Sequence, residues 1–440
     1  MTKFSHALQR KFPLITSLVT TRLRRTLMIA AALWTVEAYG LFAETIYSAK
    51  DLFTRQGPMV GGDFVVFRTA GSVIGTPEMT TIYQMQDMAA KLRAAYPGHG
   101  NMMAGWQYPP TMYLLVKPLP LLSHVASYLL WVAILGGAFF FALRSIWPDK
   151  VALFFAMSSP AVFQSVITGQ TGFLTGGLLL VSAYFASTRP FRSGVAAGLL
   201  TLKPQLGILL PVAYAAGRSW RAFALAAVTS VLMAGLSVAA FGLAPWHAFL
   251  DAVSAHGGRL GAETGFPFFK LVTPFGAVRM LGLPSRIAMP VQLVATLLLA
   301  LYVMLVWRRT ENPECRLAAL GTSALLATPY GFYYELALLV PPMYAIAKLG
   351  VERGWLKGEQ LSLAVLWCAT LMPPGDEAIP GFPTSFAVAL AAFVIAFRRI
   401  WRERPGDPVA SSVHAASREV GDTSPSRLPS ALTELRGLSS

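Results

Sequence analysis

The chain has 440 residues, of which 55% are hydrophobic and 13% charged, with 36 Lys and Arg against 21 Asp and Glu for a net charge of +15. Soluble domains spend about a quarter of their residues on charge, and so few polar groups do not cover a water-soluble globule. A cytosolic enzyme, a disordered chain, a collagen-like chain and a disulfide scaffold are excluded, and the apolar majority argues against nucleic acid as a partner. Cys315 and Cys368 lie too far apart for a disulfide framework or a metal knuckle.

Residues 1–26 carry six basic residues and no acid, and are read as a basic cytoplasmic N-terminus. The apolar run from Leu27 to Ser48, with Glu37 and Glu44 inside it, predicts an uncleaved first membrane helix. A first outer loop follows at 49–123. Within it, Ile82, Met85, Ala89 and Leu92 share one helical face, the pattern of a helix lying in the membrane interface. The stretch 108–122 is apolar but cut by four prolines, so a re-entrant or interfacial segment is expected.

Apolar segments then recur to residue 400, giving an all-α polytopic membrane protein with about 12 membrane segments. Several are too short to span, and such helices end inside the membrane only where protein or a water-filled cavity satisfies their backbone. Residues 401–440 are rich in Ser, Pro and Arg and read as a disordered cytoplasmic tail.

Cytoplasmic loops collect Lys and Arg. A cytoplasmic N-terminus and a break at Lys203-Pro204 put most of the 36 basic residues, and both termini, on that side. The opposite, periplasmic face then holds Asp63, Tyr108-Pro109-Pro110, Gly169-Gln170, Lys203-Pro204-Gln205 and the stretch from His247 to Lys270. Thr328 to Glu335 and Pro373 to Glu377 lie there too. Some basic residues are expected to touch anionic membrane lipids.

No phosphate-binding glycine loop, dinucleotide motif, His-Glu-x-x-His or paired Cys-x-x-Cys is present. No cofactor is expected, and His247 and His256 lack ligand spacing, so no metal is expected either. A soluble nucleotide donor therefore has no evident home, and if the chain is an enzyme its activated substrate is expected through the lipid phase. Asp63, after Gly61 and Gly62, is placed to act as a general base, or else to cap the following helix. Lys203 lies within an apolar segment, where a charge is expensive and marks a functional site by default. With a half-helix N-terminus beyond Pro204 it would bind phosphate. Glu335, after Tyr333 and Tyr334, is placed either to bind sugar hydroxyls beside stacked rings or to start the next helix. Gln170 reads as a helix-terminus residue, and Glu37 and Glu44 as cavity-lining groups or partners of cations.

Taken in order, Gly62-Asp63-Phe64, Ile82-Tyr83, Tyr108-Pro109-Pro110 and Lys117-Pro118-Leu119 resemble the opening of glycosyltransferase family 87. Thr168 to Gly172 resembles its Gly-Gln element and Leu202-Lys203-Pro204-Gln205 its Lys-Pro element. Ala327 to Leu336 resembles its late Pro…Tyr-Asp-Leu element, with Glu335 where Asp is usual. The resemblance covers roughly 27–400 and implies a transmembrane domain of the GT-C fold. It implies a hexose, mannose in the best-known members, moved from a polyprenyl-phosphate donor to a periplasm-facing lipid or glycan acceptor at a bacterial plasma membrane. Asp63 would be the catalytic base and Lys203 the donor-phosphate residue, with Gln170, Gln205, Tyr108, Tyr334 and Glu335 in substrate binding. The competing expectation is a polytopic transporter or flippase, but the internal repeat of two halves common in transporters is not found.

Overall fold

The protein is described here as a computed structural model over residues 13–55, 59–97, 105–259, 266–372 and 381–403, with the side chains of 13–24 and 256–259 left aside. The chain divides after Ile400; the second unit contributes only residues 401–403 to the description. The basic residues before Pro13, the segment Pro373–Glu377 and the tail beyond Glu403 lie outside the described residues.

The described residues form helices and isolated bridges, with no strand. Among the described residues, six helices are long and apolar enough to cross a membrane: Arg25–Tyr47, His124–Ile146, Trp220–Phe241, Ser285–Arg309, Tyr333–Arg353 and Thr384–Arg402. A seventh span results if Lys150–Met157 and Pro160–Thr168, bent by 49°, count as one. The break falls before Pro160, which has no N–H to continue the first helix and suits the start of the second. The chain is a multi-pass membrane protein.

About twelve apolar runs were expected to be membrane segments, and several of them are shorter helices. Gly172–Tyr184 has 13 residues, about 20 Å of helix against a hydrocarbon core of about 30 Å. Pro313–Ala327, capped by Asn312, which accepts from the Cys315 N–H at 2.8 Å, is buried in protein along nearly its whole length. Its apolar character serves packing rather than lipid contact. The run 193–217 breaks where expected: helix Pro190–Leu199 gives way to single 3-10 turns on either side of Lys203, and a helix resumes at Leu210.

Gly172–Tyr184 lies centrally, against His124–Ile146, Pro190–Leu199, Pro313–Ala327 and the 3-10 turn Tyr333–Leu339. Pro190–Leu199 crosses Trp220–Phe241 closely. A Cβ on Gly194 would come within 2.4 Å of Leu225, and one on Gly198 within 2.3 Å of Thr229, the small-residue packing that lets membrane helices approach. In the first loop, helix Phe64–Val73 packs against helix Met85–Ala95 and the turns at 110–121. Ile82, Ala89 and Leu92 are buried and Met85 half-buried, so the predicted apolar face lies largely on the protein core. The stretch 108–122 is a string of turns too short to span.

At the helix ends remote from the Thr328–Glu335 turn, Lys348 pairs with Glu314 and donates to Tyr184 at 3.0 Å. Arg399 pairs with Glu359 at 2.9 Å and donates to the Leu349 and Gly354 carbonyls. These buried pairs hold one end of the bundle in register. The other end carries the candidate site.

Candidate active site

Asp63 follows a reversal made by Gly61 and Gly62, whose φ angles of +83° and +50° suit glycine. Asp63 stands at the N-terminus of Phe64–Val73, but its side chain makes no capping hydrogen bond. Instead its Oδ2 accepts from Gln170 Nε2 at 2.7 Å. The glycines do allow close approach, but to the chain itself. A Cβ on Gly62 would lie 3.1 Å from Thr168 Cα, and one on Gly169, at φ +60°, would lie 2.6 Å from Phe64 Cβ. Tyr128 donates to the Val166 carbonyl at 2.6 Å and Trp131 to that of Gly169 at 2.9 Å, fixing the turn that carries Gln170.

Gln170 is only 6% exposed, and its Oε1 accepts from Tyr108 OH at 3.2 Å. Tyr108 is held by the rings of Phe67 and Trp106, 5.2 and 5.0 Å away, while its carbonyl accepts from Tyr83. The Lys203 ammonium lies 5.3 Å from the Tyr108 ring and 5.5 Å from the Tyr334 ring. It pairs with Glu335 and donates to Thr171 Oγ1 at 3.3 Å, and Thr175 donates to the other Glu335 oxygen at 3.4 Å. Lys203 is 6% and Glu335 1% exposed. A buried ion pair between two tyrosine rings results, with the hydrogen bonds such a pair needs.

Six of the seven residues singled out from sequence are thus brought into one network: Asp63, Gln170, Tyr108, Lys203, Tyr334 and Glu335. Gln205 is not; it lies half-buried on the next turn and joins no hydrogen bond among the described residues. No helix N-terminus adjoins Lys203, because Pro204–Leu206 is a single 3-10 turn and the next helix starts at Leu210. Glu335 faces Lys203 and is closed to solvent. Glu44 pairs with Arg55 at 3.6 Å on the surface and Glu37 is exposed, so neither reaches the network.

Burial raises the Asp63 carboxyl above the usual carboxylate range, opposed by the Gln170 hydrogen bond and by the charges of Lys270 and Lys203. Lys270 was missed from sequence. It ends an aromatic stretch, Phe266 to Phe269. Its neighbours form an aromatic cluster, with Phe266 and Phe268 4.9 Å apart and Phe332 stacked on Tyr334 at 5.3 Å. A lysine ending a run of four aromatic and proline residues was the available signal.

Among the described residues no three His, Cys, Asp or Glu side chains converge as a metal site. An apolar cleft of about 620 Å³ lies between the first helix and the helices near 150, 343 and 365, and its wall includes Leu336, next to Glu335. Chemically, the site offers one carboxylate with an oxygen left for a proton, and cations to stabilise a departing anion.

The sequence profile of glycosyltransferase family 87 matches residues 106–329, just over half of the chain. The matched stretch carries Tyr108, Gln170, Lys203 and Lys270; Asp63 precedes it and Glu335 follows it. No curated protein and no solved structure matches the chain.

Proposed function

Because the chain belongs to glycosyltransferase family 87, and is thus a membrane glycosyltransferase, we propose that it moves a hexose, mannose foremost, from a polyprenyl-phosphate donor to a lipid or glycan acceptor. The site lies on the periplasmic face of a bacterial plasma membrane with both termini cytoplasmic, a sidedness supported by the basic residues gathered in the opposite loops. The observation that carries the proposal is the Asp63 carboxylate, held at one oxygen by Gln170 and within reach of the charges of Lys270 and Lys203, in an otherwise apolar protein.

Asp63 Oδ1 takes the proton of an acceptor hydroxyl. The acceptor oxygen forms its bond to the anomeric carbon as the bond from that carbon to the phosphate oxygen breaks. The electron pair leaves with polyprenyl phosphate. That leaving group is a weak base, so no second carboxylate is required as acid, in contrast to the paired carboxylates of hydrolases. A single displacement inverts, giving an α-linked product from a β-linked donor. Tyr108 and Tyr334 wall the sugar subsite, with Gln205 at its margin. The cleft beside Leu336 suits the isoprenoid chain in size and apolarity.

Lys203 was expected at the donor phosphate. Its charge is balanced by Glu335, so a phosphate reaching it displaces or shares that carboxylate. The test is reconstitution of the purified protein with polyprenyl-phosphate hexoses, following release of polyprenyl phosphate. The wild type turns over and Asp63→Asn, folded by its melting curve, does not. Turnover by Asp63→Asn would remove the assignment of base.

A further inference from the structure

The departing group of this reaction is a phosphate whose charge grows. In the donor the phosphate is a diester with one negative charge; once the bond to the sugar breaks it is a monoester approaching two. A cation beside it binds the leaving group more tightly than the donor, which is the condition for lowering the barrier. The question is which cation has charge to spare.

Lys203 does not. It is buried, paired with Glu335 and bonded to Thr171. A phosphate brought to it meets the Glu335 carboxylate at short range. Lys270 stands differently. It is half-buried, makes no ion pair among the described residues, and its ammonium rests only over the ring of its neighbour Phe269, 5.7 Å from the centroid. It is near enough to Asp63 for its charge to act on that carboxylate.

Its place is fixed by the backbone. The Val272 N–H donates to the Gly331 carbonyl at 2.9 Å, and Leu271 bridges to Phe332 in antiparallel fashion. Lys270 is therefore tied to the loop that carries Tyr334 and Glu335. Phe266, Phe268 and Phe332 pack beside it with ring centroids 4.9 and 6.3 Å apart. That surface is apolar, suited to the first isoprene units of a lipid phosphate rather than to a nucleotide.

We propose that Lys270 is the residue that binds the phosphate of the lipid-linked donor and stabilises it as it leaves, while the Lys203–Glu335 pair behind it shapes the site. The assignment rests on the polyprenyl-phosphate donor proposed above. It gives a residue and a role to the stretch from His247 to Lys270, which the charge pattern assigns to the periplasmic face.

The test measures binding of a short polyprenyl phosphate and of the matching prenol to the protein in nanodiscs of zwitterionic lipid. Wild type is expected to prefer the phosphate. Lys270→Met is expected to lose roughly tenfold or more of phosphate affinity with prenol affinity unchanged, which also shows that the variant is folded. Lys270→Arg is expected to keep most of the preference, and Lys203→Met to keep it where the protein remains folded. If Lys270→Met retains the preference, the proposal is overturned and the donor class stands. A wild type that does not distinguish phosphate from prenol overturns both. If anionic phosphatidylglycerol competes as well as polyprenyl phosphate, Lys270 is a general headgroup anchor and the proposal is overturned.

Discussion

The Gln170 amide joins Asp63 to Tyr108: its N–H₂ donates to Asp63 Oδ2 at 2.7 Å and its carbonyl accepts from Tyr108 OH at 3.2 Å. Both ends of the amide are engaged, so it cannot rotate without losing both bonds. A proton on Oδ2 would face an N–H donor. The proton that Asp63 is proposed to accept therefore has one position, Oδ1. Gln170, expected among the substrate-binding residues, has in this geometry the place of a positioning residue for the proposed base.

Gln170→Leu is expected to lower kcat by about a hundredfold, the scale of a misplaced reacting group, with a smaller change in KM. It also removes a hydrogen bond that favours the ionised carboxylate, so the acid limb of the rate profile moves to higher pH. A lowered rate with an unmoved limb would show that Gln170 serves structure alone.

The acid limb tests the setting of Asp63 directly. A base must be ionised to act, so the rate falls as pH drops through the Asp63 value. Burial raises that value, which places the limb above the ordinary carboxylate range near about 4. Lys270 lowers it, so Lys270→Met is expected to carry the limb further up. The pH profile of kcat/KM is the measurement.

The Lys203–Glu335 pair predicts an asymmetric stability pattern. Lys203→Met or Glu335→Met alone leaves the partner buried and uncompensated, a loss of about 3–5 kcal/mol. The double variant Lys203→Met with Glu335→Met is expected to recover much of it. Thermal unfolding of the four proteins in one detergent completes the cycle.

Gly169→Ala is expected to abolish turnover with the helices intact. Its φ of +60° is strained for alanine, and the new Cβ would lie 2.6 Å from Phe64 Cβ, one residue from Asp63. Gly137→Ala, with nothing within 4 Å of the new Cβ, is the neutral control. Circular dichroism and turnover together separate the two.

Much of this site was legible because membrane sequences make polar residues conspicuous. Lys203 stood out as a charge inside an apolar run, and Asp63 as an acid after two glycines. Their partners were not legible as partners. Gln170 lies 107 residues from Asp63 and Glu335 lies 132 residues from Lys203, and no local pattern reports such pairing. Lys270 escaped notice because a lysine ending an aromatic loop resembles an ordinary surface residue until the backbone bridge to Phe332 is seen. The segment count was hard to read for a related reason: the apolar residues of Pro313–Ala327 are surrounded by protein rather than lipid. Hydropathy alone does not separate those two solvents.

The separation of Lys203 from Glu335 bears on how the protein is made. A ribosome adds about 5–20 residues each second, so the 132 residues between them take on the order of ten seconds to follow. Through that interval Lys203 lacks the Glu335 carboxylate in a stretch bound for the bilayer, where an unpaired ammonium is expensive. The break at Lys203-Pro204 leaves the chain free to hold the lysine toward water until the last helices arrive. Closure of the pair is then a late event of biosynthesis, and a chain truncated before residue 335 has no carboxylate there with which to finish it.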